Sequence, residues 1–301
     1  MPRAVARGLA DPADWGAAQA ALAGDLADLA QDVGRLQERF AAMGQGAVAR
    51  LAASEALAVG WWAGDRLSSD RLALWMSFRL GATGADGGAM TRLSWVARRL
   101  AADPARTDAQ DAAQSLGLAG QDTAFLDEAN AALAALQTLH PLVRGAAAFR
   151  LWQQLDERPD HLRGLEAVVL GAKIAGGRSL PFLPLAAAGF AALTATGGAE
   201  RRLAGWLTGA HQAVLAGLLE LDRLRRWQER ATEAVADLSG RVPRLLLGSL
   251  TRHPMVSAPQ AESETGASRA AVERNLNLLA KRGIAREVTG AGRFRVWAAA
   301  V

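Results

Sequence analysis

The sequence predicts an all-α protein in two parts, a helical domain over residues 1–240 and a smaller module over residues 241–301. Composition is the first reason: 69 of the 301 residues are Ala and 32 are Arg, against 16 Val, 2 Ile and no Tyr. Ala, Leu and Arg are strong helix formers, whereas β-branched and aromatic residues suit a half-buried pleated surface, so a large sheet is excluded. The second reason is periodicity, because apolar residues recur every three or four positions along most of the chain. The third is a change of pattern after Ser239-Gly240-Arg241-Val242-Pro243, where three short helical runs precede two strand-like ones.

Taken in order, Asp11-Pro12 is a helix start, and Leu22, Leu26, Leu29, Val33, Leu36 and Phe40 carry one amphipathic helix to about Met43. Helices follow over Gly46 to Ala63, Ser69 to Leu80 (with Ser68 or Ser69 as cap), residues 89–102, Asp122 to Leu139 and Leu142 to Leu155. The uncharged stretch Ser179 to Ala199 is long enough to cross a bilayer of about 30 Å, but Pro181, Pro184 and its Ala content predict a buried helix after a Pro-rich turn. Residues 199–238 read as one long helix or two stacked ones. Leu203, Leu207, Ala210, Val214, Leu218 and Leu221 lie on its apolar stripe, and Glu220, Arg223, Arg226, Arg230 and Glu233 on a polar face. In the last part, Arg244 to Arg252, Ala258 to Glu264 and Ser268 to Arg282 are helical. Ile284 to Thr289 and Arg293 to Trp297 then flank the Gly290-Ala291-Gly292 turn of a hairpin.

Three helices and a hairpin in that order are the pattern of a winged helix-turn-helix, whose third helix enters the major groove of DNA. Val272, Leu276 and Leu279 face its core, which leaves Ser268, Arg269, Glu273, Arg274 and Asn277 to read double-stranded DNA. In the hairpin, Arg293 and Arg295 share one face as backbone-binding residues, while Phe294 and Val296 point to the core. From His253 onward seven cations stand against four acids, so +3 of the chain's net +4 lies in this segment.

The segment from Met255 to Trp297 resembles the winged helix at the C-terminus of many Fic-family proteins. It is also similar to that of a group of rhizobial helix-turn-helix proteins whose N-terminal domain has no known function. The resemblance extends more loosely through residues 50–80, 139–152 and 203–240. Active Fic enzymes transfer a nucleotide monophosphate through a motif HPF-x-[D/E]-GNGR. Here His140, Pro141 and Gly145 match it, but Arg144 stands at the magnesium-binding acid, and Ala146, Ala147 and Ala148 replace Asn, Gly and the phosphate-binding Arg. A guanidinium where a divalent cation belongs reverses the local charge, so the resemblance implies a degenerate, non-catalytic Fic-like domain.

Other chemistry is thinly represented. The absence of Cys excludes disulfides, thiolate nucleophiles and sulfur-ligated zinc, and the four His show no metal spacing, so neither metal nor cofactor is expected. Trp61-Trp62 cannot bury both rings on one helix face. Asp11 and Asp14 interrupt any export signal, which places the chain in the cytoplasm. The expectation is a non-enzymatic transcriptional regulator, active as a homodimer paired through Glu200 to Leu238 because DNA sites come as paired half-sites. The alternatives are an AMP-transferring Fic enzyme with a degenerate motif and a protein-interaction scaffold.

Overall fold

A computed structural model describes residues 11–79, 86–102, 112–118, 123–155, 160–186, 189–290 and 295–301. Its helical part contains α1 (Pro12–Ala21), α2 (Ala23–Met43), α3 (Gln45–Ala63), α4 (Ser69–Phe78), α5 (Gly87–Ala101), α6 (Ala112–Leu116), α7 (Thr123–Ala135), α8 (Pro141–Leu155), α9 (Asp160–Gly176), α10 (Phe190–Thr194) and α11 (Ala199–Ala234). After these come α12 (Arg241–Arg252), β1 (Val256–Ser257), α13 (Ala258–Thr265), α14 (Arg269–Lys281), β2 (Ala285–Glu287) and β3 (Val296–Ala299). The protein is mostly helical, as the composition requires, with one small sheet among the described residues.

Side-chain capping starts α1 and α4. Asp11 accepts the amide of Ala13 at 2.9 Å beside Pro12, and Ser68 accepts that of Arg71 at 3.4 Å. The helix expected over 12–43 is broken at Leu22, whose backbone turns to φ −109°. Leu22 and Leu26 still continue the amide ladder, to Ala18 and Leu22, so the break is a one-residue kink that leaves the apolar spacing intact.

The centre is the α8–α9 pair, the most extensive helix contact among the described residues. A Cβ at Gly145 would lie 2.5 Å from Ala175 Cβ and 2.6 Å from the Gly171 carbonyl, so the two backbones touch where only hydrogen fits. No helix was expected over α9. Leu165, Val168, Val169, Leu170, Ala172 and Ile174 are buried, and so are Glu166 and Lys173, and a helix buried all round shows no amphipathic period. Ahead of α10 the Pro-rich stretch is a buried, irregular segment, and among the described residues no helix is long and apolar enough to cross a membrane.

The 36-residue α11 joins the two parts. Leu203, Leu207, Ala210, Val214 and Leu221 pack into the helical domain, and Leu224, Trp227 and Ala231 enter a second core with Leu246, Leu250, Val272, Leu276, Leu279 and Trp297. Trp227 donates its indole N–H to the Ile284 carbonyl at 2.9 Å. Glu220 does not stand on an open polar face as expected. It turns to α3, accepts the Ser54 hydroxyl at 2.8 Å, and burial raises its pKa.

The sheet is antiparallel in the order β1-β3-β2, with Val256 and Glu287 both opposite Trp297. The strand pair is shorter and shifted relative to the expected hairpin, and two-residue β1 is too short to show an alternation. Val296 was expected to face the module's core with Phe294. Phe294 lies outside the described residues, and Val296 instead joins Met255 and Ala298 in a separate apolar cluster with Ala73, Leu74 and Phe78 of α4. Trp297 and Ala299 fill the module's own core. Because β3 is buried on both faces, its side-chain alternation does not reveal which face is which.

Candidate nucleic-acid interface

Two Ser side chains start α13 and α14. Ser257 accepts the amide of Gln260 at 3.3 Å to start α13, which ends at Gly266 in the left-handed region at φ 63°. Thr265 Oγ1 then accepts the amide of Ala267, and Ser268 that of Ala271 at 3.4 Å, which starts α14. Val272, Leu276 and Leu279 are fully buried, so α14 turns Ser268, Arg269 and Arg274 to solvent with Glu273 and Asn277 half-buried beside them.

The side chains on that face differ in how they are engaged. Arg269 donates Nε–H to Glu262 of α13 at 2.6 Å, an exposed pair of the kind that contributes about 1 kcal/mol or less. Arg274 is exposed and has no hydrogen bond or ion pair among the described residues. Asn277 accepts from Arg295 at 2.8 Å, and Arg295 also donates to Glu287 at 2.8 Å and stacks 4.8 Å from the centre of Trp297. The hydrogen bond to Glu287, with the nearby charges of Glu287 and Glu273, raises the Arg295 pKa. Arg295 thus ties the hairpin to α14, and Arg293 lies outside the described residues.

The positive excess counted along the sequence has partners from elsewhere. Arg286 forms a bidentate pair with Asp70 of α4 at 2.6 and 2.9 Å. Arg282 does the same with Asp237 at 2.6 and 2.9 Å and also donates to the Ala234 carbonyl. Within residues 253–301, Arg274 and Lys281 are the described Arg and Lys residues with no carboxylate partner, so the open charge is concentrated on α14.

One contact between the two parts carried no sequence signal. Arg50 of α3 donates to the carbonyls of Leu250 and His253 at the end of α12, at 2.5 and 2.7 Å, and its burial pushes the guanidinium pKa down to about 10. Next to it, a Cβ at Gly46 would meet the Thr251 carbonyl at 2.6 Å. A buried Arg is indistinguishable from a surface one in a sequence, and only its 200-residue span to Leu250 gives it this role.

The stretch from His140 to Ala148 forms a helix start. His140 is half-buried just before α8, its Nδ1 accepts the Leu142 amide at 3.3 Å, and its carbonyl accepts those of Val143 and Arg144. Its own N–H goes to Gln19 at 2.8 Å, and burial lowers its pKa. Pro141 opens a continuous helix through Leu155, in which Arg144 is half-buried, Gly145 is the contact with α9, and Ala146, Ala147 and Ala148 are buried. These amides are already bonded within the helix start, so no glycine-rich anion loop follows Pro141.

Two further features lie in the helical domain. A cavity of about 250 Å³ is lined by Thr91, Arg92, Trp95, Leu165 and Glu166. Arg92 is held by Asp65 at 2.6 and 2.9 Å, and Glu166 accepts from Trp152 at 3.2 Å. Of the Trp pair, Trp61 is exposed under Arg66, 4.8 Å from its guanidinium, and Trp62 lies against Gly164. Among the described residues no group of His, Asp and Glu is arranged to hold a metal ion. No protein-family model matches this chain, and no curated protein matches it either.

Proposed function

We propose that this chain is a DNA-binding transcriptional regulator whose residues 241–301 are a winged helix-turn-helix and whose α14 reads the major groove. The observation that carries the reading is the exposed face of α14, where Ser268, Arg269 and the unpartnered Arg274 stand over a fully buried Val272-Leu276-Leu279 seam. The succession α12-β1-α13-α14-β2-β3 with strand order β1-β3-β2 supports it, being the topology of that fold. Arg274 supplies the forked donors that match guanine O6 and N7, and Ser268 an N-terminal hydroxyl for a phosphate. Arg269 reaches a phosphate by exchanging Glu262, at small cost because that pair is exposed. Arg295 supports the reading face through its bonds to Asn277 and Glu287, and Arg293 belongs to the proposal on sequence alone.

The same proposal assigns residues 1–240 a non-catalytic part. The Fic-like resemblance rests on sequence, and a helix start whose amides are occupied by His140 offers no cradle for nucleotide phosphates. Incubation with labelled ATP and magnesium tests this: label transfer that His140→Ala abolishes would overturn it. For DNA, fragments selected from genomic DNA by the full chain provide the probe. Arg274→Ala is expected to weaken specific binding by about 1–3 kcal/mol at fixed salt. Unchanged affinity in that variant would remove α14 from the interface.

A further inference from the structure

The exposed face of α11 carries the next inference. Leu215 and Leu219 are 43% and 58% exposed, one turn apart, on a helix whose opposite side is core. At 100° per residue, Thr208, Leu215, Leu219 and Arg226 fall within about 40° of one another around the axis, so they form one straight stripe. Its two ends carry opposite charge. Toward the N-terminal end, a groove of about 230 Å³ is lined by Asp25 and Asp28 of α2 together with Leu207, Thr208, His211 and Leu215. Toward the C-terminal end stand the exposed Arg223, Arg226 and Arg230. The acids beside them are already engaged, Asp222 by Arg39 at 3.1 Å and Glu229 by Arg225 at 2.7 Å. Asp25, Asp28, Arg223, Arg226 and Arg230 have no ion pair among the described residues.

We propose that this stripe binds a second copy of the chain, with the two α11 helices antiparallel about a two-fold axis at Gly217. That axis is the midpoint of Leu215 and Leu219, and it places the two Leu of each copy against those of the other. It also sets Arg226 opposite the partner's Thr208 and Arg223 opposite the partner's His211, where Asp25 and Asp28 line the groove. The patch is therefore self-complementary, which an isologous interface requires: an apolar centre with a basic end of each copy over the acidic end of the other. A parallel pairing would place like charges together and leave both ends repelled.

The pairing also positions the C-terminal modules. Their cores take in Leu224, Trp227 and Ala231, about 10 residues beyond the axis, so two modules sit roughly 30 Å apart along α11, near the roughly 34 Å of one DNA turn. This spacing rests on the DNA reading above; the pairing itself does not.

Sedimentation velocity of the full chain without DNA tests the pairing, and so separates its failure from failure of the DNA reading. The wild type is expected to sediment as a dimer at about 10 μM, and Leu219→Glu as a monomer whose circular dichroism spectrum matches the wild type. Asp25→Arg with Asp28→Arg, or Arg223→Asp with Arg226→Asp, should each weaken dimerisation at least about tenfold, and the combination of all four should restore it. A monomeric wild type at about 100 μM, a dimer indifferent to Leu219→Glu, or charge variants whose losses add instead of compensating would each overturn the proposal.

Discussion

The starts of α8 and α14 are built alike and present opposite surfaces. Each begins with a side chain accepting an amide of the first turn, Nδ1 of His140 from Leu142 and Oγ of Ser268 from Ala271. At α8 the residues that follow are buried against α9, and the first-turn amides of Val143 and Arg144 close on His140. At α14 Arg269 and Ala270 face solvent, with Arg274 open at the end of the second turn. The same capping device makes a packing joint in one place and an accessible helix end in the other. A motif match reports the cap; only burial tells what the cap is for.

The largest way to sharpen this contrast is Gly145→Val. Its side chain must enter a site where a Cβ alone would be 2.6 Å from the Gly171 backbone carbonyl, so a loss of about 3 kcal/mol or more in unfolding free energy is expected in urea denaturation. At the other start, Ser268→Ala removes a cap whose side chain is exposed, and a loss of about 1 kcal/mol is expected in the same measurement. Equal losses at the two positions would break the comparison.

The two regions should also separate by pH. At the end of α13, burial acts to raise the Glu264 pKa, but hydrogen bonds from Ser249, Arg252 and Gln260 and the charge of His253 hold it at about 2. A carboxylate whose folded pKa lies below its unfolded one stabilises the fold fully above the unfolded value, near 4.5, and that contribution is lost as the pH falls toward about 2. Glu264→Gln is expected to flatten the acid limb of a melting-temperature profile over that window. His140 is the smaller effect. Burial holds its folded pKa below 6.5, so the unfolded chain takes up the proton first and stability falls as pH drops below 6.5. A shallower slope in His140→Gln just below that pH would confirm the direction, and an unchanged slope would assign it to other groups.

The parts of the fold that could be read in advance are those where one face of a helix meets water. The Val272, Leu276 and Leu279 seam and the Asp11, Ser68 and Ser268 caps all lie within a few residues of what they act on. In contrast, α9 is buried all round, β3 is covered on both sides by Trp297's core and by α4, and each hides the period that would announce it. Glu220 is hidden for a related reason: a polar residue beside an apolar stripe reads as exposed until Ser54 and Arg50 are brought against it.

By itself the sequence determined that the protein is helical, where most helices begin, and which side of α14 is buried, because propensity, capping and amphipathic spacing are local properties. Tertiary structure alone decided which charges remain open. Asp70 takes Arg286 across 216 residues and Asp237 takes Arg282 across 45, while Arg50 is drawn onto the end of α12 from 200 residues away. An ion pair is set by distance in space, which separation along a chain does not encode, so a charge count over one segment becomes a surface charge only after the chain has folded.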